Sequence, residues 1–207
     1  MSVTRFDLLR HGACTDGQVY RGHTDSPLSD EGELQMQETV KEGQWDIVYS
    51  SPLRRCQGFS SQLSKQRQLP LVIDKRLIEM DFGDWDGCET AAIWARQKEA
   101  VLAFWQDPET NTPPDAEPLS TMRERLVQLL HDLHRQHEGK KILLVCHGGV
   151  IRLLLCYLLQ IPPNAMQQLT IGYASLSRIE LYQSDDHFGS EVVFSNRLPD
   201  VAGYEGR

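Results

Sequence analysis

The sequence is poor in cysteine and has no closely spaced cysteine pair. Its five cysteines are scattered over 207 residues, and no two of them form a CxxC motif. An odd number of dispersed thiols argues against a disulfide framework and against a structural zinc site, whose ligands come at short fixed spacings. We therefore expect a protein of a reducing compartment, the cytoplasm, without a bound metal.

Long hydrophobic runs are also missing. The apolar run at residues 153–159 is too short to cross a bilayer. At the N-terminus no basic stretch is followed by an apolar segment, so the sequence predicts no signal peptide. We expect neither a membrane-spanning segment nor a membrane partner.

Positive charge is in the minority. The chain has 29 acidic and 21 basic residues, and its net charge is −8. A general nucleic-acid-binding protein normally presents a basic face, so we expect no nucleic-acid partner. A site for an anionic ligand would need a local cluster of basic residues. A chain of this length is expected to fold as a single domain, residues 1–207.

Short apolar segments alternate with helical patterns along the chain. The patterns predict strands at 3–9, 46–50, 71–73, 141–146, 175–182 and 192–195, and helices at 29–43, 53–66, 90–98, 100–105, 119–138 and 150–159. Ser29 has the character of a helix N-cap. The strand at 141–146 is nearly all apolar, which is typical of a parallel strand buried on both faces. The alternation predicts an α/β fold, a doubly wound, mostly parallel sheet flanked by helices.

Three of the predicted strands end in residues with related chemistry. Arg10, His11 and Gly12 follow the first strand, an arginine pair at 54–55 comes soon after the second, and His147 follows the apolar strand. The carboxyl ends of parallel strands meet at one edge of a sheet, where ligands bind. Guanidinium groups bind phosphate oxygens, and an imidazole can accept a phosphoryl group. The sequence therefore predicts a phosphate site at this edge.

Five segments, taken in order, resemble the histidine phosphatase superfamily, which includes the cofactor-dependent phosphoglycerate mutases. They are RHG at 10–12, YRGHTDSPLS at 20–29, SSPLRRC at 50–56, LIEMDFGDWDG at 77–87 and CHGGVIR at 146–152. The resemblance implies a phosphoglycerate mutase-like fold. Within the superfamily, the Arg55 and Cys56 pair, the segment 81–87 and the loop 105–114 look most like the α-ribazole-5′-phosphate phosphatases of cobalamin nucleotide-loop assembly.

The resemblance also implies roles for individual residues. His11 matches the nucleophile that becomes phosphohistidine, and Glu79 matches the acid that protonates the leaving alcohol and then activates water. Arg10, Arg55 and His147 match the groups that hold the phosphoryl oxygens. Arg55 is preferred to its neighbour Arg54, for which we expect a solvated helix charge. Further substrate contacts are expected at three positions, Arg21, Gly22 and Gly148. The family's chemistry needs neither metal nor cofactor, because side chains supply the positive charge.

The function that the resemblance implies is dephosphorylation of a small-molecule phosphomonoester, α-ribazole-5′-phosphate first. A broad sugar-phosphate or nucleotide phosphatase and a phosphoglycerate mutase-like enzyme are the alternatives, and an inactive phospho-ligand-binding regulator is a third. Gly17 stands where the family often has a phosphate-contacting Asn, which leaves substrate choice open. A homodimer is possible through the apolar residues 165–166 and 169–171, although these could equally be core.

Several residues keep two interpretations. Three other acids near Glu79 could compete for its role, namely Asp81, Asp84 and Asp86, and the spacing to Phe82 favours Glu79. Trp85 and Trp105 could stack on a substrate ring or pack in the core, and Glu117 could rim the site or be solvated. Cys14 and Cys146 are interpreted as packing residues. On the helix 119–138, we expect a solvated face rather than a metal site from three histidines, His131, His134 and His137.

Overall fold

The computed structural model describes residues 2–184, 187–201 and 204, and these form one six-stranded sheet with helices on both faces. The strands are β1 Ser2–Arg10, β2 Ile47–Ser50, β3 Leu71–Ile73, β4 Lys141–Cys146, β5 Leu176–Ser184 and β6 His187–Arg197. Their order in the sheet is β3-β2-β4-β1-β5-β6. β1 to β4 run parallel to one another, and β5 and β6 are antiparallel additions beside β1. The predicted α/β fold with a mostly parallel sheet is confirmed.

Within the described residues, five α-helices connect and cover the strands. They are α1 Asp30–Val40, α2 Arg54–Arg67, α3 Thr90–Gln106, α4 Leu119–Gln136 and α5 Gly148–Leu159. The Ser29 hydroxyl caps α1 by accepting a hydrogen bond from the backbone N–H of Gly32 at 3.0 Å. The two helices predicted between residues 90 and 105 form one helix that is kinked at Gln97. Helix α5 begins two residues earlier than predicted, directly after His147.

The hydrophobic core lies in two layers, one on each face of the sheet. Ile142 and Leu144 of β4 belong to the layer under α3, α4 and α5, and Leu143 and Val145 belong to the layer under α1 and α2. All four side chains are fully buried. Strand β4 is therefore buried on both faces, as its sequence predicts, because helices cover the sheet from both sides.

The histidines His131 and His134 of α4, and His137 at its C-cap, do not form a solvated face. Each ring lies 2.8–2.9 Å from a hydroxyl oxygen, His131 from Tyr157, His134 from Thr4 and His137 from Tyr49. His134 is buried, and burial lowers the pKa of His134 and of His137. The expectation of a solvated face is wrong because the three rings form hydrogen bonds with hydroxyl groups of the sheet and of α5. Within the described residues, no group of three or more metal-ligating side chains could hold a metal ion.

Two further expectations concern surfaces. Met166 and Ile171, from the apolar segments that could have formed a dimer edge, are both buried in the chain's own core. Their burial leaves core packing as the interpretation for these two side chains. In the described part of the chain, no helix combines the length and the apolar character that a bilayer crossing needs.

Candidate active site

The predicted site residues meet where β1, β4 and β2 end. Arg10 is the last residue of β1 and lies in register with Cys146, the last residue of β4. The residues that follow are therefore neighbours, and the rings of His11 and His147 pack edge-on with centroids 5.3 Å apart. Parallel pairing thus brings together two histidines that are 136 positions apart in the sequence.

His11 is held as a neutral ring with one nitrogen available. Its Nδ1 lies 2.8 Å from the carbonyl oxygen of Gly12. Because a carbonyl can only accept, Nδ1 carries the proton and Nε2 keeps its lone pair. Burial and the nearby guanidinium groups of Arg55 and Arg10 hold the pKa of His11 well below its ordinary value of 6.5. A neutral imidazole with a free Nε2 is the form that can attack phosphorus.

The turn after β1 requires glycine. A Cβ on Gly12 would lie 2.1 Å from the carbonyl oxygen of Gly32, in the first turn of α1. Gly32 is restricted to glycine for the same reason, since a Cβ on Gly32 would lie 2.1 Å from the carbonyl oxygen of Ala13. The two glycines let the backbone after His11 pass directly over α1, which fixes the carbonyl that orients the His11 ring.

Arg55 and His147 lie side by side behind His11. The Nε of Arg55 donates to Nδ1 of His147 at 3.3 Å, so His147 carries its proton on Nε2, which donates to the Ser51 hydroxyl at 2.8 Å. The Arg55 guanidinium also donates to the carbonyls of Thr24 and Gly22, each at 2.7 Å. Burial and the Arg55 charge hold the pKa of His147 well below 6.5. Both side chains are fully buried and neither lines the cavity in front of His11.

Glu79 lines the same cavity as His11 and is held by two backbone N–H groups. Its Oε2 accepts from the backbone N–H of Gly149 at 3.0 Å, in the first turn of α5, and its Oε1 accepts from the N–H of Met80 at 3.1 Å. A helix N-terminus is a favourable place for a carboxylate. The three nearby acids that could compete for this role do not line the cavity: Asp81, Asp84 and Asp86. Of these four acids, Glu79 alone shares a cavity with His11.

A cavity of about 210 Å³ opens in front of His11 and has two unlike walls. One wall is polar and is formed by Arg10, Arg21, Glu79, Gly148, Arg152 and Tyr173. The other wall is apolar and aromatic, with contributions from Tyr20, Met80, Phe82, Phe104, Trp105 and Met122. The cavity can therefore hold an anionic group beside its polar residues and an apolar group beside its aromatic residues.

The remaining predicted residues divide between the cavity and its support. Arg21 and Gly148 line the cavity. Gly22 is buried, and its carbonyl accepts a hydrogen bond from Arg55. Arg54 is exposed, as expected. Burial raises the pKa of the thiols of Cys14 and Cys146, which keeps them protonated.

The structure also distinguishes between the two interpretations of Trp85, Trp105 and Glu117. Trp85 is fully buried and its Nε1 donates to Gln97, so it packs in the core, while Trp105 lines the cavity. Glu117 lies outside the cavity lining and pairs with Arg125 at 2.8 Å. Arg125 also donates to the carbonyl of Ile78 at 2.8 Å, so this ion pair supports the segment that carries Glu79.

Two residues of the polar wall are not among the predicted site residues. Arg152 follows Gly148 by four positions in α5, the spacing that places side chains on one helix face, so helical periodicity could have identified it. Its Nε donates to the carbonyl of Leu169 at 2.9 Å. Tyr173 precedes β5 and carries no local motif, so the sequence offered no signal for it.

Comparison with known proteins agrees with this geometry. The profile of the Histidine phosphatase superfamily (branch 1) matches residues 6–190. The adenosylcobalamin/alpha-ribazole phosphatase of Escherichia coli (strain K12) is 31% identical over 185 residues, covering 86% of this chain and 91% of that protein. The glucosyl-3-phosphoglycerate phosphatase of Mycolicibacterium vanbaalenii is 32% identical over 174 residues, covering 78% and 77%. The crystal structure of the alpha-ribazole phosphatase from Shigella flexneri matches with a TM-score of 0.80 at 28% identity, covering 93% of this chain and 96% of that one.

The relatives agree in the type of reaction that their names state and differ in the substrate. All three are named phosphatases, two of them for α-ribazole and one for glucosyl-3-phosphoglycerate. The similarity therefore speaks for the class of enzyme rather than for one substrate. Because the family profile covers most of the chain and the relatives span most of its length, this protein belongs to the histidine phosphatase superfamily.

Proposed function

We propose that this protein is a metal-independent phosphomonoesterase that transfers the phosphoryl group of its substrate to His11 and then to water. The environment of His11 carries the proposal. Its Nδ1–H donates a hydrogen bond to the Gly12 carbonyl, its pKa is lowered so that the ring is neutral, and it shares a cavity with Arg10 and Glu79. Nucleophile, cationic group and carboxylate are the parts that phosphoryl transfer needs when no metal ion neutralises charge.

In the first step, Nε2 of His11 attacks phosphorus, and the P–N bond forms as the ester P–O bond breaks. Glu79, in its acid form, gives its proton to the departing alcohol oxygen. The Nδ1 proton stays on the ring, and the Gly12 carbonyl stabilises the positive charge that the ring acquires. In the second step, the Glu79 carboxylate takes a proton from a water molecule whose oxygen attacks phosphorus. The P–N bond then breaks, which releases inorganic phosphate and returns neutral His11 and protonated Glu79.

The positive groups of the site would balance the charge of the phosphoryl oxygens. Arg10 has a buried Nε without a hydrogen-bond partner, and the N-terminus of α5 lies beside it at Gly148. We keep Arg55 and His147 as phosphoryl ligands in this proposal. Direct contact would require His147 to turn its Nε2 proton from Ser51 to a phosphoryl oxygen, and Arg55 to offer an Nη hydrogen beside those that bond the loop carbonyls.

The substrate that we propose first is α-ribazole-5′-phosphate, whose alcohol half combines a ribose with a planar aromatic ring system. Four aromatic side chains support this choice by lining the same cavity as His11 and Arg10, namely Tyr20, Phe82, Phe104 and Trp105. Past Trp105 the aromatic lining continues into a surface groove that includes Trp94 and Val101. A second candidate is a broader range of sugar phosphates and nucleotides, which the additional cations Arg21 and Arg152 in the cavity favour.

The test is phosphate release in the presence of EDTA from α-ribazole-5′-phosphate and from a panel of sugar phosphates and nucleotides. Wild type is compared with His11→Ala and with His23→Ala, which removes an exposed histidine outside the cavity lining. We expect His11→Ala to abolish turnover and His23→Ala to retain it, with α-ribazole-5′-phosphate preferred. His11-dependent turnover without that preference would exclude α-ribazole-5′-phosphate as the preferred substrate and would still support transfer through His11.

Three other outcomes would contradict the proposal. Turnover that survives His11→Ala would exclude His11 as the nucleophile. Transfer of label from a bisphosphate between 2- and 3-phosphoglycerate would indicate a mutase. Binding of vanadate without turnover of any substrate would indicate a regulator that only binds phospho-ligands.

A further inference from the structure

Tyr173 occupies a position in the polar wall that packing alone does not explain. The guanidinium carbon of Arg10 lies 4.0 Å from the centre of the Tyr173 ring, and the His11 ring lies 5.6 Å from it. The Nη1 of Arg21 donates to the Tyr173 hydroxyl at 3.2 Å. One side chain therefore contacts the nucleophile and two of the arginines that line the cavity.

The backbone that presents Tyr173 is held in an unfavourable conformation. Ala174, the next residue, has φ of 48°, in the left-handed region that a residue with a Cβ rarely adopts. Its N–H donates to the carbonyl of His11 at 3.0 Å, and its carbonyl accepts from the Thr39 hydroxyl at 2.7 Å. Strain that is retained by surrounding hydrogen bonds is often found at functional sites. Here the strained turn is hydrogen-bonded to His11, the residue after β1, and it presents Tyr173 beside the His11 ring.

The segment before Ala174 is hydrogen-bonded to two arginines that line the cavity. Arg10 donates through Nη1 to the carbonyl of Ile171 at 2.6 Å, and Arg152 donates to the carbonyl of Leu169 at 2.9 Å. These bonds occupy Nη1 of Arg10, while its buried Nε has no partner. The segment is thus fixed close to a guanidinium that still has an N–H to offer to an anion.

The Tyr173 hydroxyl also keeps a hydrogen to donate. It accepts from Arg21, and within the described residues the structure records no acceptor for its own proton. A hydroxyl that accepts from a guanidinium is polarised, which makes it a stronger donor. The acceptor that fits this cavity is an anionic oxygen.

We propose that Tyr173 is a further substrate-contacting residue, whose hydroxyl donates a hydrogen bond to a nonbridging oxygen of the phosphoryl group that is transferred to His11. The ring at the same time holds Arg10 by a cation–π contact. The role rests on the proposed function, because it requires a phosphoryl group beside His11. It also assigns to the segment before β5 a part in catalysis, although no motif marks that segment in the sequence.

The test uses Tyr173→Phe, which removes the hydroxyl and keeps the ring over Arg10. Arg21 stays anchored in this variant, because it also donates to Asp16 and to the carbonyl of Gly17. The matched control is Tyr157→Phe, which removes a hydroxyl that bonds His131 outside the cavity lining. Measured quantities are kcat and KM for p-nitrophenyl phosphate, the inhibition constant of orthovanadate and the melting temperature.

A hydrogen bond to a charged group contributes enough that its loss costs about ten- to a hundredfold in binding or rate. We expect Tyr173→Phe to lower kcat/KM and vanadate affinity by that factor at an unchanged melting temperature, with wild-type values in Tyr157→Phe. A further variant, Tyr173→Leu, should lose more because Arg10 is released.

Wild-type kinetics and vanadate affinity in Tyr173→Phe, combined with a lower kcat/KM in Tyr173→Leu, would show that only the ring of Tyr173 matters, through packing. That result would overturn the proposal. Failure of the proposed function would be recognised separately, because wild type itself would then show no His11-dependent turnover.

Discussion

The contact between Gly149 and Glu79 gives a way to displace the general acid without removing it. An added Cβ on Gly149 would lie 2.4 Å from Glu79 Oε1, and ordinary contact begins at 3.4 Å. Gly149→Ala must therefore push the carboxylate away by about 1 Å, because the Cβ is fixed to the helix and the carboxylate is the movable end. The same shift lengthens the bond of 3.0 Å between the Gly149 N–H and Glu79 Oε2.

The expected effect is large on catalysis and small on stability. A displacement of about 1 Å in a catalytic group can cost about a hundredfold in rate, or about 2.7 kcal/mol of transition-state stabilisation. Gly149 lies in the first turn of α5 with no positive φ, so alanine is compatible with its backbone. We expect the free energy of unfolding to be unchanged or raised by a few tenths of a kcal/mol.

The assay compares two leaving groups. For an alkyl phosphate the departing oxygen needs the proton of Glu79, so Gly149→Ala should lower kcat/KM about a hundredfold. For p-nitrophenyl phosphate the leaving group departs without a proton, so the loss in kcat/KM should be smaller, about fivefold or less. The matched control is Gly58→Ala, a glycine inside α2 whose added Cβ meets nothing within 4 Å. This control should raise stability by about 0.5–1 kcal/mol with wild-type activity.

Wild-type kcat/KM on the alkyl phosphate in Gly149→Ala would refute the reasoning, since the general acid would then tolerate the displacement. Equal losses on both substrates would show that the variant disturbs phosphoryl binding rather than proton transfer. A lowered melting temperature would show instead that the helix, and not the carboxylate, had moved.

Three further predictions concern stability and substrate choice. Asp7→Asn should lower the free energy of unfolding by about 2–3 kcal/mol in urea titrations, because the fully buried carboxylate accepts a hydrogen bond from Arg178 at 2.7 Å. The control Glu38→Gln, which changes an exposed ion pair with Lys41, should lower it by less than about 1 kcal/mol. The two buried histidines of the site, His11 and His147, have pKa values below 6.5 in the folded state. Below pH 6.5 the unfolded chain therefore binds more protons than the folded one. The free energy of unfolding, measured by urea titration, should be constant above pH 6.5 and decrease below it. Trp105→Ala should raise KM for α-ribazole-5′-phosphate about tenfold through lost ring stacking and leave KM for glycerol phosphate unchanged; equal changes for both would remove Trp105 from substrate recognition.

The local sequence was sufficient for the elements and for the class of chemistry. Strand β4 matches its predicted bounds because an uninterrupted apolar run between polar ends has few other stable placements. Ser29 caps α1 because a hydroxyl before an acidic first turn satisfies a free backbone N–H whatever the rest of the fold is. The resemblance placed Glu79, rather than the three acids that follow it, and the cavity lining agrees.

Other features depend on contacts between distant parts of the chain. His134 was expected in solvent and is buried, because its partner Thr4 lies 130 positions away in β1. Arg55 carries a sequence motif, but its hydrogen bonds to the carbonyls of Gly22 and Thr24 depend on how the loop after β1 crosses α2. Tyr173 is recognised as a site residue only when the segment before β5 is placed beside β1, whereas helical periodicity could have identified Arg152.

The sequence by itself therefore determined which elements form and which reacting groups the chain possesses, because periodicity, caps and motifs act over a few residues. Only the tertiary structure decided the tautomer of His11, the partners of Glu79 and the place of Tyr173. The first depends on the Gly12 backbone crossing α1, the second on the N-terminus of α5, and the third on the segment before β5 lying beside Arg10, and such contacts between distant parts of the chain leave no mark in the local pattern.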